Sequence, residues 1–215
     1  MKASAGFEAV VFDLGGVVYP SPLDAFRAYE RDHGLPDRFI SEVVLADPER
    51  GAWSRLERGE LRFDEFCDAF DTECAAHGGT VSTRELMEGV VTGLDARPMM
   101  VRAIASVRRH GLKTGALTNN WAGDPTTDED RPSSNAEWFD VVVESAVEGL
   151  RKPDPRIYRL VCERLGVAPA DTVFLDDLGA NLKPARELGM TTIKVEDPDA
   201  ALAELESVLG FALRG

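Results

Sequence analysis

Four chemically capable features fall in a fixed order along this chain: Asp13, then Thr118-Asn119, then Lys152, then the adjacent pair Asp176-Asp177. A carboxylate, a hydroxyl, an ammonium and two neighbouring carboxylates form a set suited to a hard cation and an anionic ligand. Adjacent aspartates repel unless a cation offsets them. Mg²⁺ takes oxygen ligands and keeps waters and substrate phosphates. Singly, each feature has a plain structural reading: Asp13 starts a turn, Thr118-Asn119-Asn120 lie in a loop, Lys152 is a surface lysine, and Asp176-Asp177 cap the next helix. Together they imply a site, because all four follow the ends of predicted strands along one edge of one sheet.

The strands and helices that would position them are legible from pattern. The run Val10-Val11-Phe12 ends on Asp13 and then Gly15-Gly16, which reads as a buried strand delivering a carboxylate to its C-terminal end, where open α/β sheets bind ligands. From Arg97 onward, helices alternate with short apolar strands. The spacing predicts a helix over Pro98–His110, strands over Leu112–Leu117 and Phe139–Val143, and a helix from Asp154-Pro155 to Leu165. A strand at Thr172–Leu175, a helix at Ala180–Leu188, a strand at Thr191–Val195 and a helix at Asp199–Leu209 follow. This alternation implies an α/β fold with a parallel sheet covered by helices on both faces.

Between Pro20 and Leu94 no strand is predicted. Leu23–His33, Arg38–Ala46, Phe63–His77 and Ser82–Val91 read as helices separated by Gly and Pro. Residues 21–94 are therefore expected to form a helical cap inserted into a core made of 1–20 and 95–215. The acidic stretch within Trp121–Asn135 reads as a solvated loop.

Composition narrows the partners. With 24 Lys and Arg against 38 Asp and Glu in 215 residues, the net charge is -14, which disfavours an electrostatic grip on nucleic acid or anionic lipid. No apolar run approaches the roughly eighteen residues of a membrane span, and the first residues lack an apolar signal-peptide stretch, so a cytoplasmic protein is expected. Cys67, Cys74 and Cys162 are odd in number and lack metal-type spacing, which fits a reducing compartment; Cys67 and Cys74 are expected to face a core. Each histidine directly precedes glycine, at His33-Gly34, His77-Gly78 and His110-Gly111. That is a helix C-terminus signature and leaves histidine catalysis or metal binding poorly supported.

In type, order and spacing, the four features resemble the motifs of the haloacid dehalogenase superfamily of phosphohydrolases, across the whole chain. The resemblance implies a Rossmann-like core with a small cap inserted after the first motif, acting on a small phosphorylated substrate. It implies Asp13 as the nucleophile that accepts the phosphoryl group. Thr118, the backbone at Asn119, Lys152 and Gly16 would hold the substrate. Mg²⁺ would be held by Asp13, the backbone carbonyl of Gly15 and Asp177, with Asp176 and Asn181 orienting that set from behind.

A narrower resemblance covers Phe139–Ser145, Lys152–Tyr158, Phe174–Arg186 and the insert's Arg58-Gly59-Glu60-Leu61. These are similar to the N-terminal phosphatase domain of soluble epoxide hydrolase and to the related domain of an acyl-CoA dehydrogenase family member. The chain is expected to act without either partner domain, so epoxide hydrolysis is not implied.

One position departs from the family pattern: the second aspartate, two residues after the nucleophile, is Gly15. That aspartate protonates the leaving oxygen and later activates water, a contribution of roughly 10² to 10⁴ in rate. Its loss weighs most on alkyl phosphates and least on aryl or acyl phosphates. A glycine at this position is also seen in similar sugar-phosphate phosphatases. Water, Tyr19, Glu57 or Glu60 are the candidate replacements. Two other readings stay open: a catalytically silent module that binds a phosphorylated metabolite or a partner, and a dehalogenase using the same aspartate on carbon without metal. Trp53 is expected to pack in a core, whereas Trp121 fits either packing or the mouth of a pocket.

Overall fold

The computed structural model describes residues 6–92, 95–121 and 137–213. Its organising strand is β1 (Ala9–Phe12), whose four residues are all buried; such a strand needs neighbours on both edges and cover on both faces. β2 (Lys113–Thr118), β3 (Val141–Glu144), β4 (Thr172–Asp176) and β5 (Thr191–Lys194) complete the sheet in the order β3-β2-β1-β4-β5. Every pairing is parallel. The chain runs outward through β2 and β3, then returns to the other side of β1, so the order reverses between β1 and β4. At such a switch point the loops part and leave a crevice at the strands' C-terminal ends.

Alternation along β1 divides its side chains between two cores. Val10 and Phe12 pack with Met100, Ile104 and Val107 of one helix and with Leu202 and Leu205 of another. Ala9 and Val11 face Ile157, Tyr158 and Val161 together with Leu182. In chain order the helices are α1 (Pro22–His33), α2 (Phe39–Ala46), α3 (Ala52–Glu57), α4 (Phe63–Ala76), α5 (Thr83–Val91), α6 (Pro98–Arg109), α7 (Ser145–Glu148), α8 (Pro155–Leu165), α9 (Gly179–Glu187) and α10 (Pro198–Leu209). Thus α6 and α10 cover one face, and α8 and α9 the other.

Helices α1 to α5 lie between β1 and α6 and contribute no strand among the described residues. They carry their own apolar cluster, built on Phe26, Ile40, Trp53, Phe66, Phe70 and Leu86, with Cys67 and Cys74 inside it. Buried Glu30 holds that cluster's first turn together: its carboxylate accepts from the N–H groups of Arg38 and Ile40 at 3.0 and 2.8 Å, satisfying donors at the start of α2.

The histidines cap helix ends as expected, with a detail the sequence does not show. Nδ1 of His33, His77 and His110 lies 2.9 to 3.0 Å from the carbonyl four residues earlier, and each following glycine adopts a positive φ. β3 begins two residues later than the spacing predicts. The reason is Asp140, whose carboxylate occupies the Thr114 N–H at 2.7 Å, so the ladder starts after it. Short helices α3 and α7 were not predicted. Apart from Trp121, the acidic loop expected over Trp121–Asn135 lies outside the described residues.

Between β1 and α1 the chain makes a tight flap. Leu14 carbonyl accepts from the Tyr19 N–H at 2.8 Å and the Gly16 N–H donates to the Pro20 carbonyl at 3.3 Å. Arg97 fastens this flap from the other end of the insert: its Nη1 donates to the carbonyls of Gly16, Val17 and Tyr19 at 2.8 to 2.9 Å, and its N–H donates to Val18. Arg97→Ala should lower stability by about 1–3 kcal/mol, because partly buried carbonyls lose a charged donor. Urea unfolding measures this, and an unchanged midpoint would contradict it.

Candidate active site

β1 ends at Phe12, so the Asp13 carboxylate emerges at the centre of the sheet's C-terminal edge, 6% exposed. Its Oδ1 accepts from the N–H of Leu14 at 2.7 Å. Its Oδ2 meets the Lys152 ammonium at 2.8 Å. The same ammonium lies 2.7 Å from Asp176 Oδ2 and 5.7 Å from the centre of the Phe174 ring. Lys152 is 1% exposed, so the reading of it as a surface lysine is excluded.

Asp176, which ends β4, and Asp177 just after it have different environments. Asp176 is fully buried and its oxygens are committed: they accept from Leu178 N–H at 2.8 Å and from Asn181 Nδ2 at 3.1 and 3.2 Å, besides Lys152. Asn181 is itself fixed where its carbonyl accepts from the Tyr158 hydroxyl at 2.7 Å. Asp177 is half-buried, and its Oδ2 accepts from Ser21 Oγ at 3.3 Å. Oxygens of Asp13, Asp176 and Asp177 lie within 4.8 Å of one another. Three carboxylates against one ammonium leave an excess of negative charge, a donor set that fits a hard dication.

Gly16 serves this cluster sterically. It has φ +79°, and a Cβ there would lie 2.2 Å from Asp177 Oδ2, so only glycine lets Asp177 approach the flap. Gly15 is different: a Cβ would meet only Pro22 Cδ, at 3.5 Å.

Thr118, at the end of β2, is 5% exposed. Asn119 next to it turns both ends of its amide onto the Lys152 main chain: Oδ1 accepts from Lys152 N–H at 2.8 Å, and Nδ2 donates to Lys152 carbonyl at 3.1 Å. Asn120 ties the same loop to α7, with its N–H donating to Ser145 Oγ at 2.9 Å and its Nδ2 to Glu144 at 2.6 Å.

The insert reaches this edge through α3. Glu57 is buried and accepts from Arg151 Nε at 2.6 Å, from Trp53 Nε1 at 3.1 Å and from Asn119 Nδ2 at 3.4 Å. Arg151 also donates to Ser54 Oγ and the Pro48 carbonyl. Trp53 packs in the insert's core and meets the half-buried Trp121 edge-on, centroids 6.5 Å apart. Glu60 instead pairs with Arg58 in a more exposed position. Arg151 and Ser21 carry no signal in the sequence, since each contact joins residues more than ninety positions apart.

The electrostatics follow from this packing. Burial pushes the Asp13 carboxyl well up, Lys152 opposes it, and Asp176 and Asp177 add to the rise. Burial pulls the Lys152 ammonium down, yet Asp13 and Asp176 more than reverse this, so it stays above the ordinary lysine value. Burial raises Glu57 against the pull of Arg151. Asp177 is pushed up to about 6 by burial and by Asp176.

A parallel Rossmann-like sheet with a lysine-paired carboxylate at the tip of its central strand is an architecture of hydrolases. The chain belongs to the haloacid dehalogenase-like hydrolase family, whose family model matches residues 7–189. Over 213 residues it is 38% identical to acyl-CoA dehydrogenase family member 10 of Mus musculus, covering 96% of this chain and 20% of that protein. It is 35% identical to bifunctional epoxide hydrolase 2 of Sus scrofa, covering 95% and 39%. The chain thus spans well under half the length of these two relatives. It is 26% identical to the sesquiterpene phosphatase astK of Aspergillus oryzae, covering 95% and 97%. Among solved structures, a HAD family enzyme of Bacteroides thetaiotaomicron in complex with magnesium and inorganic phosphate is similar, with TM-score 0.63, 21% identity and coverage of 89% and 97%.

The Asp177 shift has a definite sign. With a folded pKa of about 6 against an ordinary 3.8, the native state holds a proton that the unfolded chain has released, so ionisation costs stability as pH rises through this window. Relative to Asp177→Asn, the metal-free protein should lose melting temperature between pH 4 and 6 (approximate bounds of that window) and stay level above it. Mg²⁺ should raise the melting temperature of the parent near neutral pH and leave Asp177→Asn nearly unmoved. Scanning calorimetry with and without chelator measures both; an equal response of the two proteins would refute the assignment.

Proposed function

We propose that this hydrolase is a Mg²⁺-dependent phosphatase that cleaves a small phosphomonoester through an aspartyl-phosphate on Asp13. The observation that carries the reading is the buried Lys152 ammonium held 2.8 Å from the Asp13 carboxylate. A full positive charge fixed beside a nucleophile is suited to the negative charge that gathers on transferring phosphoryl oxygens. The relative named as a phosphatase along nearly its whole length, and the magnesium and phosphate bound by the similar solved structure, support the same chemistry.

In this reading an Asp13 oxygen attacks phosphorus, the bond from phosphorus to the ester oxygen breaks, and the leaving oxygen departs with the electron pair. Thr118 Oγ and the backbone N–H of Asn119 hold phosphoryl oxygens beside Lys152. Mg²⁺, held by Asp13, the Gly15 carbonyl and Asp177, would neutralise part of the phosphoryl charge when bound. Asp176 keeps Lys152 and the site in register while its own oxygens stay committed to Asn181 and Leu178. Water then attacks the phosphorus of the aspartyl-phosphate, releasing phosphate and restoring Asp13. Gly15 supplies no proton to the leaving oxygen, so leaving groups stable as anions, such as aryl oxides, are the favoured ones.

Purified protein with Mg²⁺ should release phosphate from an aryl phosphate, and Asp13→Asn should abolish it; survival of activity would sink the mechanism. Stabilisation by phosphate without turnover on a broad panel would instead identify a binding module, and halide release without Mg²⁺ a dehalogenase. Gly15→Asp should fold, since its Cβ makes only an ordinary contact with Pro22. It should raise the rate on alkyl phosphates by up to roughly 10² and change aryl phosphate hydrolysis far less. An unchanged alkyl rate would show that another group already delivers the proton.

A further inference from the structure

Besides Ser21 on Asp177, the insert reaches the catalytic edge through Glu57 of α3. Glu57 Oε2 receives both Arg151 Nε, at 2.6 Å, and Asn119 Nδ2, at 3.4 Å. Arg151 immediately precedes Lys152, and the Asn119 side chain grips the Lys152 main chain on both its N–H and its carbonyl. Glu57 is held in turn by Trp53 Nε1, one helical turn away. The approach of α3 to the core is close: a Cβ at Gly59 would lie 2.5 Å from the carbonyl of Ala146 in α7.

Each group that fixes the Lys152 backbone therefore has a second contact on one carboxylate of the insert. We propose that Glu57 is a positioning residue: from the insert it braces Arg151 and Asn119, and through them sets where the Lys152 ammonium stands relative to Asp13. Docking of the insert and assembly of the reacting site are then one event. This role rests on the phosphatase reading for its catalytic consequence, though not for its structural one. It also separates Glu57 from the proton-transfer role open to it in the sequence, because both carboxylate oxygens are occupied by donors other than substrate.

The chemistry of the contacts makes the role testable. Glu57→Gln keeps the size and an acceptor for Trp53 but loses the charge that holds Arg151, and charge-assisted bonds are about twice as strong as neutral ones. Small displacements of a group that must meet a transition state are costly, on the order of 10²-fold for about 1 Å.

The experiment uses the full chain. In Glu57→Gln, NMR hydrogen exchange at the Lys152 amide should quicken roughly tenfold or more, while amides of β1 and β4 keep parent rates. With an aryl phosphate and Mg²⁺, kcat should fall roughly tenfold with KM moved less than about twofold. The double change Glu57→Gln with Arg151→Lys should cost no more than the worse single one, as for residues acting in one chain of contacts. A contact that only fastens the insert would lower the melting temperature and quicken exchange in α3, leaving Lys152 and kcat alone.

Parent-like exchange at Lys152, or parent-like kcat in a protein that turns over, overturns the proposal. If Glu57→Gln does not fold, Arg151→Lys is read by the same two measurements. A parent protein that releases no phosphate overturns the phosphatase reading instead, and the exchange result at Lys152 then decides the positioning role alone.

Discussion

The bridge from Lys152 to Asp13 and Asp176 is the constraint around which the molecule is arranged. An ammonium and two carboxylates are removed from water almost completely, and desolvation of each ion costs several kcal/mol unless geometry and further hydrogen bonds compensate. The surroundings supply that compensation. Asp176 receives Leu178 and Asn181, Asn181 is anchored by Tyr158, the Phe174 ring lies beside the ammonium, and Asn119 fixes the lysine's backbone. The strand order places β1 and β4 side by side, which is what lets Asp13 and Asp176 share one lysine. Fold and site are thus a single electrostatic problem with one solution.

The two glycines that follow Asp13, Gly15 and Gly16, answer different demands. Gly16 is imposed by backbone conformation and by the Asp177 carboxylate, which occupies the volume a side chain would need. Gly15 is imposed by neither, and its environment admits a β-carbon. The backbone at position 15 thus retains room for a side chain that the sequence does not supply, and under the proposed phosphatase reading that absence suits leaving groups that depart without protonation.

Much of the architecture was legible because it rests on local signals. Apolar runs ending on Asp13 and Asp176, the Asp154-Pro155 helix start and the histidine-glycine helix ends are written into a few adjacent residues. The different environments of Asp176 and Asp177 come from hydrogen bonds with Leu178, Asn181 and Ser21, partners that pattern reading does not pair with them. What escaped the sequence depends on distant partners. Helix α3 is six residues long, too short for periodicity to reveal, yet it carries the insert's grip on the core. Arg97 and Arg151 look like ordinary charged residues until the chain brings carbonyls and Glu57 to them. The start of β3 was misplaced because Asp140 satisfies a backbone donor with its side chain, a substitution invisible to hydrophobic patterning.

The Arg97 guanidinium invites a mechanical view. The insert leaves the core past Pro20, whose carbonyl is held by Gly16, and returns at Arg97, which grips the carbonyls of that same flap. Departure and return are thus pinned to one another at a single joint. The two crossings between core and insert thus share one tie beside Asp13, so a change that loosens the Arg97 guanidinium loosens both crossings at once.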